Sequence, residues 1–261
     1  MIKLNDEVIE FKHFNDGSTR VEIPIPTSGY ATVTWLFDNN EEILSIYYLI
    51  RHLIDHKCSV RLNVPYLVNS RQDRVKTEKD VFTLKYFSDL LNTLNIEQIT
   101  TFDVHSNVAP ALINNLVVQS PRALIQDILN KNKNLVLGYC DEGGFKRYYN
   151  MFNVPYIFGC KIRNYETQQI EALQILGNKH LVAGRDVLII DDIISRGSTT
   201  ARVYSGLKEL GASKIYIYAS HVEPTVLDYG LLELADLVKI YTTNSLWHNI
   251  EHPKVEVIRY F

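Results

Sequence analysis

Cysteine is scarce in this chain. Cys58, Cys140 and Cys160 make an odd number among 261 residues, and none belongs to a CxxC pair. This argues against a disulfide framework or a zinc site and points to free thiols in a reducing compartment. Neither sign of charge is in excess: 27 Lys and Arg stand against 30 Asp and Glu, a net charge of -3. The basic surplus of a nonspecific nucleic-acid binder is therefore missing. No run approaches the roughly 18 apolar residues of a membrane span, and the opening MIKLNDEVIEF carries no apolar leader core. Low-complexity linkers and repeats are also absent, and the sixteen tyrosines are scattered. What remains is an ordinary globular composition, 46% hydrophobic and 22% charged, long enough for one large or two medium domains. The expectation is a soluble cytoplasmic protein with neither a nucleic-acid nor a membrane partner.

Strand-like and helix-like segments alternate along the chain. ATVTWLF (31–37), SVRLNV (59–64), QITTFDV (98–104), NLVLGYC (134–140), PYIFGCKIR (155–163) and KIYIYAS (214–220) read as strands. RDVLIIDD (185–192) is a near-continuous apolar run, as expected of a parallel strand covered on both faces. Helices are predicted over about 41–56, 81–94, 121–130, 143–152 and 199–212, with a further short helical piece after the third strand. Pro121 suits a first turn, and Gly211 a C-terminal stop. QQIEALQILG (168–177) suits a helix by propensity yet also reads as a strand. The alternation predicts an α/β fold with mainly parallel sheets and flanking helices. Two units are expected, 1–118 and 119–245, with 246–261 returning to the first.

Ligands of such folds collect at the carboxyl ends of strands. After VLII come Asp191 and Asp192, then Ser195, Arg196, Gly197, Ser198 and Thr199 ahead of a predicted helix. Paired carboxylates can accept hydrogen bonds from vicinal sugar hydroxyls or reach Mg2+. Backbone N–H groups at the following helix N-terminus favour a phosphate. Together they describe a ribose-phosphate site; the plainer reading makes Asp192 or Ser195 a helix cap.

The segment VLIIDDIISRGSTTARVYSGLKELGASKIYIYASHV resembles the phosphoribosyl-diphosphate loop shared by phosphoribosyltransferases and ribose-phosphate diphosphokinases (PRPP synthetases). Further segments, in the same order, resemble the diphosphokinases. VPYLVNSRQDR is similar to their ARQDR segment, which implies an ATP site at Arg71, Gln72 and Asp73; TFDVHSN is similar to DLHAxQ, which implies that His105 helps bind magnesium-ATP. YCDEGGFKR resembles SPDxGGxxR near the ribose and metal, making Asp141 a metal candidate. GCKIRNYE resembles the catalytic KRR segment at Lys161 and Arg163, with Ile162 in place of the middle arginine. HFNDGSTRVEI resembles the FxDGE adenine turn at Phe14 and Asp16, and YTTNS resembles VTNTI. Alone, each is a charged loop, a turn or a protected strand edge; in sequence order they carry the assignment.

The resemblance implies two phosphoribosyltransferase-like domains and a homo-oligomer, dimer or hexamer, in which the adenine turn serves a neighbouring subunit. It implies an enzyme that moves the β,γ-diphosphate of MgATP to the 1-hydroxyl of a ribose 5-phosphoryl compound. His105 and Asp141 would help hold the magnesium. The chain departs from the family at Ser18, where the turn's glutamate would stand, and at Arg196, where the phosphate loop has small residues. A guanidinium pairs bidentately with phosphate oxygens and suits a 5-substituent longer than one phosphate, so ADP-ribose joins ribose 5-phosphate as an expected acceptor. That option links the chain to NAD metabolism as well as nucleotide biosynthesis. Two alternatives remain open: a phosphoribosyltransferase that consumes PRPP, and an inactive synthetase-associated regulatory subunit.

Overall fold

The apolar runs gather into two separate main sheets. A computed structural model describes residues 1–132, 134–163 and 170–261, without the side chains of 161, 163 and 170–172. Two units divide the chain, Met1–Ser120 with Phe261, and Pro121–Tyr260.

In the first unit β5 (Tyr30–Trp35), β6 (Ser59–Asn63), β7 (Gln98–Phe102) and β8 (Leu116–Gln119) run parallel. β1 (Ile2–Leu4) pairs antiparallel with β5 and with β2 (Glu7–Val8), completing the order β2-β1-β5-β6-β7-β8. Helix α1 (Glu42–Asp55) buries Ile46, Leu49, Ile50 and Leu53, the three- and four-residue spacing that puts one face of a helix against a sheet. They join Val33, Trp35 and Leu62 from the strands and Leu84 from α2 (Thr83–Asn92) in one core. A short α3 (Ala109–Leu112) precedes β8. A separate two-stranded hairpin, β3 (Lys12–His13) and β4 (Thr19–Arg20), carries the Asp-Gly turn.

The second sheet runs β11-β10-β9-β12-β13-β14-β15. Its members are β9 (Val136–Tyr139), β10 (Tyr156–Arg163), β11 (Ile170–Gly177), β12 (Val187–Ile194), β13 (Ile215–Val222), β14 (Leu237–Thr243) and β15 (Val255–Ile258). All neighbours are parallel except β10 and β11. The run VLII is fully buried because its two faces enter two different cores. Val187 and Ile189 pack with Val203 and Leu207 of α6 (Ser198–Glu209). Leu188 and Ile190 pack with Ile125 and Ile128 of α4 (Arg122–Lys131) and Tyr148 of α5 (Glu142–Tyr148). A strand clothed on both sides needs no polar alternation, which is why its pattern is continuous.

Three points differ from the sequence reading. The ambiguous 168–177 segment is a strand from Ile170, antiparallel to β10; tertiary pairing overrides its helical propensity. β12 continues to Ile194, two residues past the predicted run, so Asp191 and Asp192 lie within the strand rather than at its very end. The tail adds β15 to the second sheet instead of returning to the first unit; Phe261 alone groups there.

Candidate active site

In the second unit, β12 delivers the acid pair. Asp192 is buried, and its Oδ2 lies 3.6 Å from Nη1 of Arg147 on α5. Asp191 accepts the backbone N–H of Asp192 through Oδ1 at 3.0 Å. Burial, then the charges of Asp192 and Asp141, push the Asp191 carboxyl well above the usual carboxylate range. Asp141 lies two residues beyond β9 and caps α5, accepting the Gly144 N–H at 3.0 Å. A side chain built on Gly144 would come within 4.0 Å of Asp191 Oδ1, so the first turn of α5 passes beside the acid pair. Cys140 is buried below, its Sγ 3.7 Å from Thr200 Oγ1; burial and the charge of Asp191 raise its pKa and keep it a neutral thiol. Such a concentration of carboxylate charge is suited to hydroxyl donors or a cation.

The loop after β12 is shaped by its neighbours. Gly197 sits at φ +74°, and a Cβ there would fall 2.7 Å from Leu231 Cδ2. Only glycine meets both conditions. Gly197, which has no side chain to offer, is also the residue preceding α6, so neither Asp192 nor Ser195 is its N-cap residue. The first-turn amides of α6 lack the intrahelical acceptors that later turns provide, the arrangement that favours an anion. Ser195 donates its hydroxyl to Glu223 Oε2 at 2.5 Å. Arg196 is exposed, with its guanidinium carbon 5.0 Å from the ring centroid of exposed Tyr229. Ser198 and Thr199 open the helix, the former exposed and the latter half-buried.

The first unit holds the loops read as nucleotide-binding. Asp73 accepts Ser106 Oγ at 2.9 Å and pairs with Arg74 Nε at 3.0 Å, so the RQDR and DVHS loops are joined. Burial opposes ionisation of Asp73, but Arg74 and Ser106 together hold its carboxyl below the usual range. Arg71 and Gln72 are exposed, and Gln72 Oε1 accepts Thr83 Oγ1 at 3.0 Å; His105 is half-buried beside Ser106. On the hairpin, Phe14 is exposed and Asp16 accepts both the hydroxyl and the N–H of Ser18 at 2.6 and 2.9 Å, which lowers its pKa. The residue replacing the family's glutamate thus closes the turn on itself. Lys161 and Arg163 lie on β10, where the register with β11 shifts between Ile162 and Arg163; their side chains lie outside the described residues.

The second unit therefore brings Asp141, Asp191, Asp192 and the 195–199 loop together, while the first joins Asp73 to the His105 loop. Arg147, Glu223 and Tyr229 were missed in the sequence. Arg147 had a signal, as the last position of the GGFKR match; Glu223 and Tyr229 had none, because they reach the loop only through folding. Among the described residues no group of three His, Cys, Asp or Glu is placed to hold a metal ion. Mg2+ carried on substrate phosphates needs only one or two protein carboxylates, and the oxygen donors beside β12 fit that demand. No helix among the described residues is long and apolar enough to cross a membrane.

Comparison with known proteins agrees with this geometry. Residues 112–230 match the phosphoribosyl transferase domain family. The chain is 27% identical over 233 residues to the ribose-phosphate pyrophosphokinase of Haemophilus influenzae, covering 84% of this chain and 72% of that one. It is 29% identical over 223 residues to that of Thermococcus kodakarensis, with 82% and 77% covered. The crystal structure of phosphoribosylpyrophosphate synthetase from Mycobacterium smegmatis superposes with a TM-score of 0.79 at 19% identity, covering 96% of this chain and 85% of that one. A strand-end acid pair, a phosphate-type loop and this fold make the second unit similar to the phosphoribosyl transferase domain. Over most of its length the chain is similar to ribose-phosphate pyrophosphokinases.

Proposed function

We propose that this chain is a diphosphotransferase that moves the β,γ-diphosphate of ATP to the anomeric 1-hydroxyl of a ribose 5-phosphoryl acceptor and releases AMP. The observation that carries the reading is the acid pair near the end of β12, buried Asp192 beside half-buried Asp191, leading into an α6 N-terminus preceded by glycine. The acid pair would hold the ribose hydroxyls, with Arg147 offsetting the Asp192 charge, and residues 195–199 the 5-phosphoryl group. Arg71, Gln72, Asp73 and His105 are proposed to bind ATP, together with Phe14 and Asp16 from a neighbouring subunit. The 1-oxygen attacks the β-phosphorus as the bond to the bridging oxygen of AMP breaks. Lys161 and Arg163 are proposed to stabilise the charge that gathers on the moving group, the main demand of phosphoryl transfer. Alignment of acceptor and nucleotide supplies much of the acceleration. His105 and Asp141 are each proposed to help bind Mg2+, which would neutralise phosphate charge when bound.

Ribose 5-phosphate, which would give PRPP, is the acceptor in keeping with the relatives' names. A second reading, ADP-ribose giving ADP-ribose pyrophosphate, is favoured by Arg196 over Tyr229: a cation and an exposed ring beside the phosphate loop suit a second phosphate with a base attached. The test incubates the protein with ATP, Mg2+ and each sugar, and quantifies AMP and the sugar product. AMP dependent on either sugar is expected. AMP from neither would overturn the assignment and leave the inactive-subunit alternative standing.

A further inference from the structure

Two histidines of the first unit belong to no motif and no role above. His52 lies in the last turn of α1, and His56, four positions on, is the residue that ends the helix. That spacing puts both side chains on one face. Their ring centroids are 4.4 Å apart, with the planes inclined at 53°. His56 is exposed and His52 half-buried, so both rings meet solvent. The His56 ring bonds through Nδ1 to His52 O at 2.8 Å. A carbonyl oxygen only accepts, so in the neutral ring Nδ1 carries the hydrogen and Nε2 the lone pair. Capping of the helix end accounts for this bond. It does not employ Nε2 of His56 or the ring of His52 beside it.

We propose that His52 and His56 form a two-histidine site for a borderline divalent transition-metal ion, Zn2+ being the representative. Histidines four residues apart on a helix can both face one ion, as they do in helical zinc motifs. With metal–nitrogen distances of about 2.0–2.1 Å, two imidazoles sharing an ion have centroids roughly 5 Å apart. A pair at 4.4 Å opens to that separation by a small side-chain rotation. The Nδ1–H of His56 held by a main-chain carbonyl is the kind of outer hydrogen bond that fixes a ligand ring and leaves Nε2 for the metal. Asp55 supplies no third ligand, since its carboxylate faces Arg51 Nη2 at 3.4 Å. Water therefore completes the coordination. Imidazole nitrogens suit Zn2+, Ni2+ or Cu2+, whereas Mg2+ takes oxygen, so this site does not compete for the ion that accompanies ATP. An ion shared by residues 52 and 56 ties down the final turn of α1, which gives way to Lys57 at φ +62°.

Calorimetric titration of Zn2+ into the EDTA-treated full-length chain, without nucleotide and with excess Mg2+ present, reads the affinity of nitrogen sites. His52→Gln and His56→Gln are each expected to weaken a Zn2+ binding step by at least about tenfold, the scale on which metal sites respond to loss of a single supporting group. Zn2+ should raise the thermal midpoint of the wild-type chain and of neither variant. In 15N spectra of the histidine rings, Zn2+ should shift the resonances of both His52 and His56. Zn2+ bound equally by the wild type and both variants would overturn the proposal, as would no binding by the wild type. Loss of binding in only one variant would also overturn it, because the shared ion needs both rings. Should His56→Gln fail to fold, His52→Gln makes the comparison alone, since the His52 ring makes no hydrogen bond among the described residues.

Discussion

Arg147 decides whether the acid pair can exist in its present form. Asp192 is nearly inaccessible, and the guanidinium 3.6 Å away offsets a charge that burial makes costly. The same guanidinium carbon lies 5.9 Å from the Tyr148 ring, which helps fix its plane. Removing the cation leaves the carboxylate with less compensation in a poorly hydrated place, a strongly unfavourable arrangement. Arg147→Met is expected to lose about 2–3 kcal/mol in urea denaturation. Adding Asp192→Asn should recover part of that loss, since the stranded charge goes with it. Additive losses in the double variant would show that the two residues act separately. Individual motif residues were legible as chemistry: aspartates, a phosphate-type loop and strand-end loops. Their partners were not, because Arg147, Glu223 and Tyr229 meet them from other elements.

At the scale of elements, β12 and α6 show how far local pattern reaches. VLII announces a strand buried on both sides, and Val203, Leu207 and Leu210 announce a helix. Gly211 ends that helix at φ +82°, where its N–H bonds Lys208 O at 3.0 Å and the next N–H, of Ala212, bonds Leu207 O at 3.0 Å. This paired closure stops α6 and turns the chain toward β13. Gly211→Ala is expected to cost about 1 kcal/mol through the left-handed conformation alone. Thermal or chemical denaturation checks it, and nucleotide and sugar binding should be unaffected because the far end of α6 carries the loop. Segment 168–177 was the element that propensity left undecided. It is a strand because β10 offers it an antiparallel partner, a contact that no window of local sequence contains. β14 and β15 escaped notice for a related reason: LVKIYTT mixes apolar and polar residues, and VEVI is only four residues long.

The molecule consists of two α/β units, each with its own sheet and core. The loops of the first unit carry residues proposed to bind ATP, and those of the second carry residues proposed to hold the sugar phosphate. The exposed hairpin with Phe14 and Asp16 is proposed to complete the site of a neighbouring subunit. That proposal has a direct check by complementation. Phe14→Ala and Arg71→Ala are each expected to form little AMP alone. Mixed after mild dissociation and reassociation, they should regain measurable AMP formation, because some sites then combine an intact turn with an intact RQDR loop. No recovery on mixing, with oligomers formed normally, would place both residues in the site of one subunit.

Sequence by itself determined the class of fold, since the alternation of apolar strands and amphipathic helices depends on short-range periodicity and burial. It also determined the types of side chain available at the strand ends. Tertiary structure decided the rest: which strand pairs with 170–177, where the chain's end is held, and what surrounds the phosphate loop. These depend on contacts between residues far apart in sequence, such as Ser195 with Glu223, Arg196 with Tyr229 and Gly197 with Leu231. The charge and shape of that loop are set by the wall that folding brings to it, and no stretch of local sequence encodes the wall.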